Sequence, residues 1–237
     1  MTSCYGCNMI IVITNSKGGV GKSTIAVNLA AWLVGHGHRV TLADCDSQQS
    51  SSEWVREAAP RVKTVRLDNP DKILNELPLL TADADYVIAD GPGSQTETSR
   101  ALLLRADLAI VPVKASMLEV RALAKATEVL RVSQDIRSGA PAAIIVLSMV
   151  GKNYRLTKDM REAAAALNLP LASGAMTLRQ IYADAPGQGK VVWNMGSRAR
   201  EAAMEVDQIF REILPEAICK ESPCLAFNPK KSGAGHG

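Results

Sequence analysis

Residues Ile10 to Ile25 read IIVITNSKGGVGKSTI, and this stretch constrains the fold more than any other. Ile10, Ile11, Val12 and Ile13 form an unbroken β-branched run, the pattern of a strand buried on both faces of a parallel sheet. Asn15 to Gly21 is a glycine-rich bend. From Ser23 the apolar spacing turns helical, with Ile25, Val27, Leu29, Ala30 and Leu33 on the buried side. A strand running through a glycine loop into a helix is the setting of a phosphate-binding loop. Successive backbone N–H groups and the helix N-terminus form a cavity suited to an anion. Gly18, Gly19 and Gly21 lack the Cβ that would hold phosphate oxygens away. Lys22 is placed for the β- and γ-phosphates and the Ser23 hydroxyl for Mg²⁺.

The loop departs from the common pattern, which has a glycine five residues before the second one. That position is Ser16, and Lys17 follows it, so Lys17 to Thr24 reads KGGVGKST. This deviant form, with a second lysine at its start, resembles the ParA/MinD superfamily of ATPases. The resemblance implies an α/β fold, a mostly parallel sheet flanked by helices on both faces. It implies ATP and Mg²⁺ as cofactors, with Lys17, Gly18, Gly19, Val20, Gly21, Lys22, Ser23 and Thr24 around the nucleotide. It also implies a homodimer in which Lys17 reaches the partner's nucleotide.

Two later segments continue the resemblance. Arg39 to Asp44 reads as a second strand ending in Asp44-Cys45-Asp46, followed by Ser47-Gln48-Gln49-Ser50. Acidic residues at the carboxyl end of a parallel strand face the crevice where ligands bind. They are also good helix caps, and a short helix is expected from Ser51 to Ala59. In the family, Asp46 matches the carboxylate that orients the attacking water, with Asp44 in support near the metal. Ser47 stands where the family usually has proline. Farther on, Tyr86 to Ser94 reads YVIADGPGS. An apolar strand ending in an acid projects one carboxylate toward a nucleotide-bound metal, here Asp90. Gly91 to Gly93 reads as a switch that senses the γ-phosphate. The implied metal set is Ser23, Asp46 and Asp90, and the implied catalytic set is Lys17, Lys22 and Asp46.

Strands and helices alternate along the rest of the chain. Strands are expected at Val62–Leu67, Asp107–Val113 and Ala140–Leu147, with helices at Asp71–Leu80, Thr96–Arg105, Leu118–Ser133, Tyr154–Leu167 and Ser197–Leu214. Ser148 to Val150 is either a plain strand end or the family's adenine pocket, which would bring Met149 to the nucleotide. Thr177 to Trp193 resembles the segment that meets base and partner in plasmid ParA proteins, making Arg179 a further nucleotide candidate. Arg155, Lys158 and Arg161 lie on one side of their helix. Such spacing suits a solvated face, and in the family basic residues of this half contact DNA.

A chain of 237 residues suits one large α/β domain, expected over 9–214, with 1–8 an N-terminal extension and 215–237 a disordered tail. A net charge of +3 permits contact with nucleic acid without arguing for it, and 4% aromatics weakens any model of base stacking on exposed rings. No apolar run approaches a membrane span, and MTSCYGCN has neither the basic start nor the apolar core of a signal peptide, so the cytoplasm is expected. His36 and His38 read as exposed turn residues. Cys4 and Cys7 form a CxxC pair with no second pair to complete a metal site.

The function implied is an ATP-dependent dimer, nucleoid-associated, that binds DNA non-specifically and partitions or positions a plasmid, chromosome or protein organelle. Its partners would be a ParB-like or cargo adaptor and itself, with no membrane. The alternatives are an ATP-dependent ligase of the cobyrinic acid diamide synthase or dethiobiotin synthetase kind, or a MinD-like cell-division ATPase. The ligases usually lack a lysine at the Lys17 position, and the tail after Pro215 has Pro223 and Pro229 rather than an amphipathic helix.

Overall fold

The computed structural model describes residues 8–46, 50–93, 97–114, 116, 123–124, 127–151 and 154–218. Strands β1 (Met9–Ile13), β2 (Val40–Asp44), β3 (Lys63–Arg66), β4 (Tyr86–Asp90), β5 (Leu108–Lys114), β6 (Ala142–Val150) and β7 (Leu171–Thr177) make one parallel sheet in the order β3-β2-β4-β1-β5-β6-β7. Between them run α1 (Lys22–Gly35), α2 (Ser50–Ala58), α3 (Pro70–Glu76), α4 (Glu97–Arg105), α5 (Glu128–Ile136), α6 (Tyr154–Ala166), α7 (Gln180–Gly187) and α8 (Arg200–Ile213).

Both sheet faces are covered, which is why the strands read as continuous apolar runs rather than alternating ones. Ile11 and Ile13 point into a core shared with α1, α2 and α8, where Trp32 meets the Phe210 ring edge-on at 5.8 Å. Ile10 and Val12 point the other way, onto Leu67, Ile73, Ala101 and Leu102. Helix α1 is buried on nearly every side, and the Trp32 indole donates to Asp207 at 2.9 Å, so its one polar atom is satisfied. Strand β3 is one edge of the sheet, and it carries exposed Lys63 and Arg66, charges that discourage pairing with another chain.

Several expected boundaries shift. The helix expected over Asp71–Leu80 is α-helical only to Glu76, then 3₁₀ from Leu77 to Ala82, because Pro78 has no N–H to continue the ladder. It starts as expected, with the Asn69 side chain accepting from the Asp71 and Lys72 amides. Strand β6 runs through Ser148–Val150 instead of stopping at Leu147. Of the helix expected over Leu118–Ser133, α5 accounts for the second half and extends to Ile136, while 117–122 and 125–126 lie outside the described residues.

His38 is not an exposed turn residue. It is buried, its Nε2 donates to the Ala217 carbonyl at 2.7 Å, and its ring meets Tyr86 edge-on. His36 is half-buried and donates to the Trp32 carbonyl at 2.8 Å. The packed chain therefore continues past Leu214: Pro215–Ile218 forms a 3₁₀ turn and Ala217 is fully buried. Residues 1–7 and 219–237, with Cys4, Cys7 and the rest of the expected tail, lie outside the described residues. No helix among the described residues is long and apolar enough to cross a membrane.

The sheet order reverses around β1, with β4 on one side and β5 on the other. In an open parallel sheet this reversal leaves a crevice at the carboxyl ends of the strands. Ile13, Asp44 and Asp90 are in register there, as are Lys114 and Ser148 on the other side.

Candidate functional site

The loop between β1 and α1 is tied down at both ends. The buried Asn15 amide donates to the Pro112 carbonyl at 2.7 Å, and its oxygen accepts from the Lys17 amide at 3.0 Å. The Ser148 hydroxyl donates to the Val20 carbonyl at 2.8 Å. Val20 is buried, while Gly18 and Gly19 form an exposed outer rim. Gly19 and Gly21 have φ of 65° and 90°, left-handed values that glycine adopts without steric cost. Gly21 is the N-cap of α1 and offers no side-chain acceptor, so the first-turn amides of α1 are available to an anion.

Lys22 is buried and its ammonium donates to the Lys17 carbonyl at 3.1 Å. Desolvation lowers its pKa, and the charges of Asp90 and then Asp46 act against that. Lys22 thus feels the charges of both Asp90 and Asp46. Asp46 is half-buried, and its amide donates to Asp44 at 3.2 Å. Asp44 is fully buried and also accepts from the Ser52 amide at 2.9 Å. It therefore serves as a helix cap for α2 and, in the same act, fixes the position of Asp46.

Asp90 is fully buried, and neither carboxylate oxygen has a hydrogen-bond partner among the described residues. Burial pushes its pKa up to about 7, with the nearby Ser23 and Ser51 hydroxyls and the Lys22 charge pulling down and Asp44 pushing up. The Ser51 hydroxyl is likewise buried without a partner. Buried groups are left unpaired at a cost, so an unpaired carboxylate beside two hydroxyls fits a cation. These are hard oxygen donors, the set that suits Mg²⁺, which takes few protein ligands and keeps its waters and phosphate oxygens. No group of three or more His, Cys, Asp or Glu that could hold a metal ion is present among the described residues.

The switch after β4 lies directly on the loop. A Cβ on Gly93 would stand 3.2 Å from Gly18 Cα and 3.4 Å from the Lys22 ammonium. A Cβ on Gly91 would stand 3.0 Å from the Ile13 carbonyl. Backbone approach this close admits only glycine without displacement.

Met149 sits at the end of β6 with φ 52°, beside an irregularity in the β6–β7 register. A non-glycine residue in this region is strained by roughly 1–3 kcal/mol, and such strain concentrates at functional sites. Its neighbour Ser148 holds the loop, so Met149 stands at the crevice. Arg179 is differently engaged. Its guanidinium pairs with Glu205 at 2.8 Å and with Glu201 at 2.6 Å, and Glu205 also accepts from Thr177 and Tyr182. This network fixes the β7–α7 junction to α8 and occupies the group the sequence offered to the nucleotide.

Lys158 is exposed and pairs with Glu162 at 3.8 Å. Arg161 reaches the Ser173 carbonyl at 3.4 Å; against the effect of burial, hydrogen bonds from Ser173 and Gly174, and last the Arg161 charge, hold Glu212 below the usual carboxylate range. The Arg155 side chain lies outside the described residues.

Sequence reasoning gave Asn15 and Ser148 no bracing role and did not single out Lys114. Asn15 and Ser148 brace the loop, and Lys114 at the end of β5 brings its ammonium to 3.9 Å from where a Cβ on Gly19 would stand. All three act across strand pairings that no local spacing reveals.

Comparison with known proteins matches residues 11–192 to the CobQ/CobB/MinD/ParA nucleotide binding domain. The chain is 30% identical over 210 residues to the maintenance of carboxysome distribution protein A of Halothiobacillus neapolitanus, covering 86% of this chain and 96% of that protein. It is 28% identical over 175 residues to the chromosome-partitioning ATPase Soj of Thermus thermophilus, covering 61% of this chain and 69% of Soj. Among solved structures it resembles the septum site-determining protein MinD of Pyrococcus horikoshii, complexed with Mg-ADP. The TM-score is 0.68 at 17% identity, over 90% of this chain and 98% of that one. With the family model matched over 11–192, more than half of its length, the chain belongs to the CobQ/CobB/MinD/ParA family and is an ATPase of the ParA/MinD type.

Proposed function

We propose that this ATPase closes into an ATP-dependent homodimer, binds DNA without sequence preference while closed, and positions a cargo through an adaptor protein, with partner-stimulated hydrolysis as the reset. The observation that carries the proposal is the loop itself. Its rim at Gly18 and Gly19 is open to the surface, and Lys17 begins it, so a second subunit can lay its own lysine over the phosphates. ATP then joins two protomers, and two copies of any basic surface act together on DNA.

Ser23 and Asp90 are the groups that would hold Mg²⁺, with Asp46 close by. The ion would neutralise charge on the β- and γ-phosphates. Lys22 offsets the same charge from within the loop, and Asp46, held by Asp44, is placed to orient a water. Arg155, Lys158 and Arg161 remain the DNA candidates, with Lys158 and Arg161 tempered by Glu162 and Glu212. The relative matched over 96% of its length is named for carboxysome distribution, which favours a protein organelle as cargo over a plasmid or chromosome. The ligase reading gains no support from the site, where Lys17 opens the loop.

Light scattering with ATP and Mg²⁺ tests this directly. Wild type should double in mass, and Lys17→Ala should bind ATP yet stay monomeric. DNA retention should need ATP and fall by orders of magnitude between about 50 and 200 mM salt. A Lys17→Ala variant that dimerises normally would overturn the cross-subunit role.

A further inference from the structure

Lys17 and Lys22 belong to the loop motif, and Lys114 does not. It closes β5, whose register pairs it with Ser148 of β6, and Ser148 itself donates to the Val20 carbonyl of the loop. The ends of β5 and β6 thus meet the loop side by side, one as a hydrogen bond and the other as a charge. The Lys114 side chain is half-buried, and its ammonium lies 3.9 Å from a Cβ built on Gly19, at the exposed rim. It has no carboxylate partner among the described residues, in contrast to Arg179, Lys63 and Lys158. A half-buried ammonium at the rim of a glycine loop, with no carboxylate partner among the described residues, is suited to an anion.

Which part of the nucleotide it meets follows from the loop's polarity. The amides at the start of α1 cradle the inner phosphates. The Gly18–Gly19 end, against which Gly93 of the switch packs, is left for the terminal one. We propose that Lys114 is a specificity residue for the triphosphate, adding a third positive charge, from the same subunit, at the γ-phosphate end of the loop. Its contribution is larger for ATP than for ADP because ADP lacks the group nearest to it.

The test is titration of wild type, Lys114→Gln and Lys114→Arg with fluorescent ATP and ADP analogues in Mg²⁺. Protein is kept at nanomolar concentration so that binding is read on single subunits. Glutamine keeps the length and the strand pairing and removes the charge, and thermal melts check that both variants fold. Lys114→Gln should lose about tenfold in ATP affinity and less than threefold in ADP affinity, with Lys114→Arg close to wild type. Equal losses for both nucleotides would mark Lys114 as a loop brace and overturn the proposal, as would no loss at all. An arginine variant as weak as the glutamine one would also overturn it, since charge would then not be the cause. Repeating the titration in Lys17→Ala separates this inference from the dimer proposal: the ATP-selective loss should persist there.

Discussion

Gly93 of the switch and Gly18 of the nucleotide loop are in backbone contact, so close that a Cβ on Gly93 would stand 3.2 Å from Gly18 Cα. The two segments lie 75 residues apart (93 minus 18) and meet because β4 pairs with β1. Displacing one segment would therefore press on the other, a coupling that the proposed γ-phosphate sensing by Gly91–Gly93 would use.

Gly93→Ala should press the switch off the loop. Gly18 has no side chain and lies at the surface, so the loop can yield, and stability should change by no more than about 1 kcal/mol. ATP turnover should fall at least tenfold, measured as phosphate release, while ADP binding changes little. Unaltered turnover would show that the contact is incidental.

Asp90 should give the nucleotide-free protein a distinctive pH response. Its pKa is near 4 in an unfolded chain and about 7 when buried. Between these values the unfolded state releases the proton that the folded state keeps, so rising pH favours unfolding. This contribution to stability is full below pH 4 and is lost progressively up to about pH 7. Asp90→Asn should remove that slope and raise stability at pH 7.5 by up to about 4 kcal/mol, a ceiling that water entry and relaxation would lower. Thermal melts of both proteins from pH 5 to 8, without nucleotide or Mg²⁺, check the sign.

Asp46→Ala should separate binding from chemistry. The Asp44 carboxylate still caps α2 through the Ser52 amide, so the fold should hold. ATP affinity should stay within a few-fold of wild type and turnover should drop by at least a hundredfold. Wild-type turnover would remove Asp46 as the residue that orients water.

Glu205 should be the keystone of the β7–α7 junction. It accepts from Thr177, Arg179 and Tyr182, and these partners hold its pKa below the usual range against the effect of burial. Its stabilisation is present above the unfolded pKa and is lost as pH falls through the lower folded value. Glu205→Gln should cost about 1–3 kcal/mol at pH 7, and the difference from wild type should shrink in acid. Denaturant melts at pH 7 and pH 4 measure both.

The fold was legible where its cause is local. The β1–loop–α1 unit is specified by adjacent residues, and Asp90 by the strand that ends in it. What stayed hidden depends on partners far away in sequence. His38 looked like a turn residue because its carbonyl partner, Ala217, lies 179 residues on. The pairing of Arg179 with Glu201 and Glu205 was hidden because both belong to a later helix. The sequence leaves Ser148 open between a strand end and an adenine pocket, and its bond to Val20, 128 residues back, is a loop contact that neither reading contains. Pro78 was legible in principle: its missing N–H breaks the α-helical ladder, and a helix expected to reach Leu80 ignored it.

The bond from His38 to Ala217 fixes one more thing. His38 precedes β2, so it lies at the amino-terminal edge of a parallel sheet whose opposite edge carries the loop. A five-residue strand spans roughly 17 Å. Ile218 therefore lies at the back of the molecule, a strand's length away from the rim that a second subunit would cover.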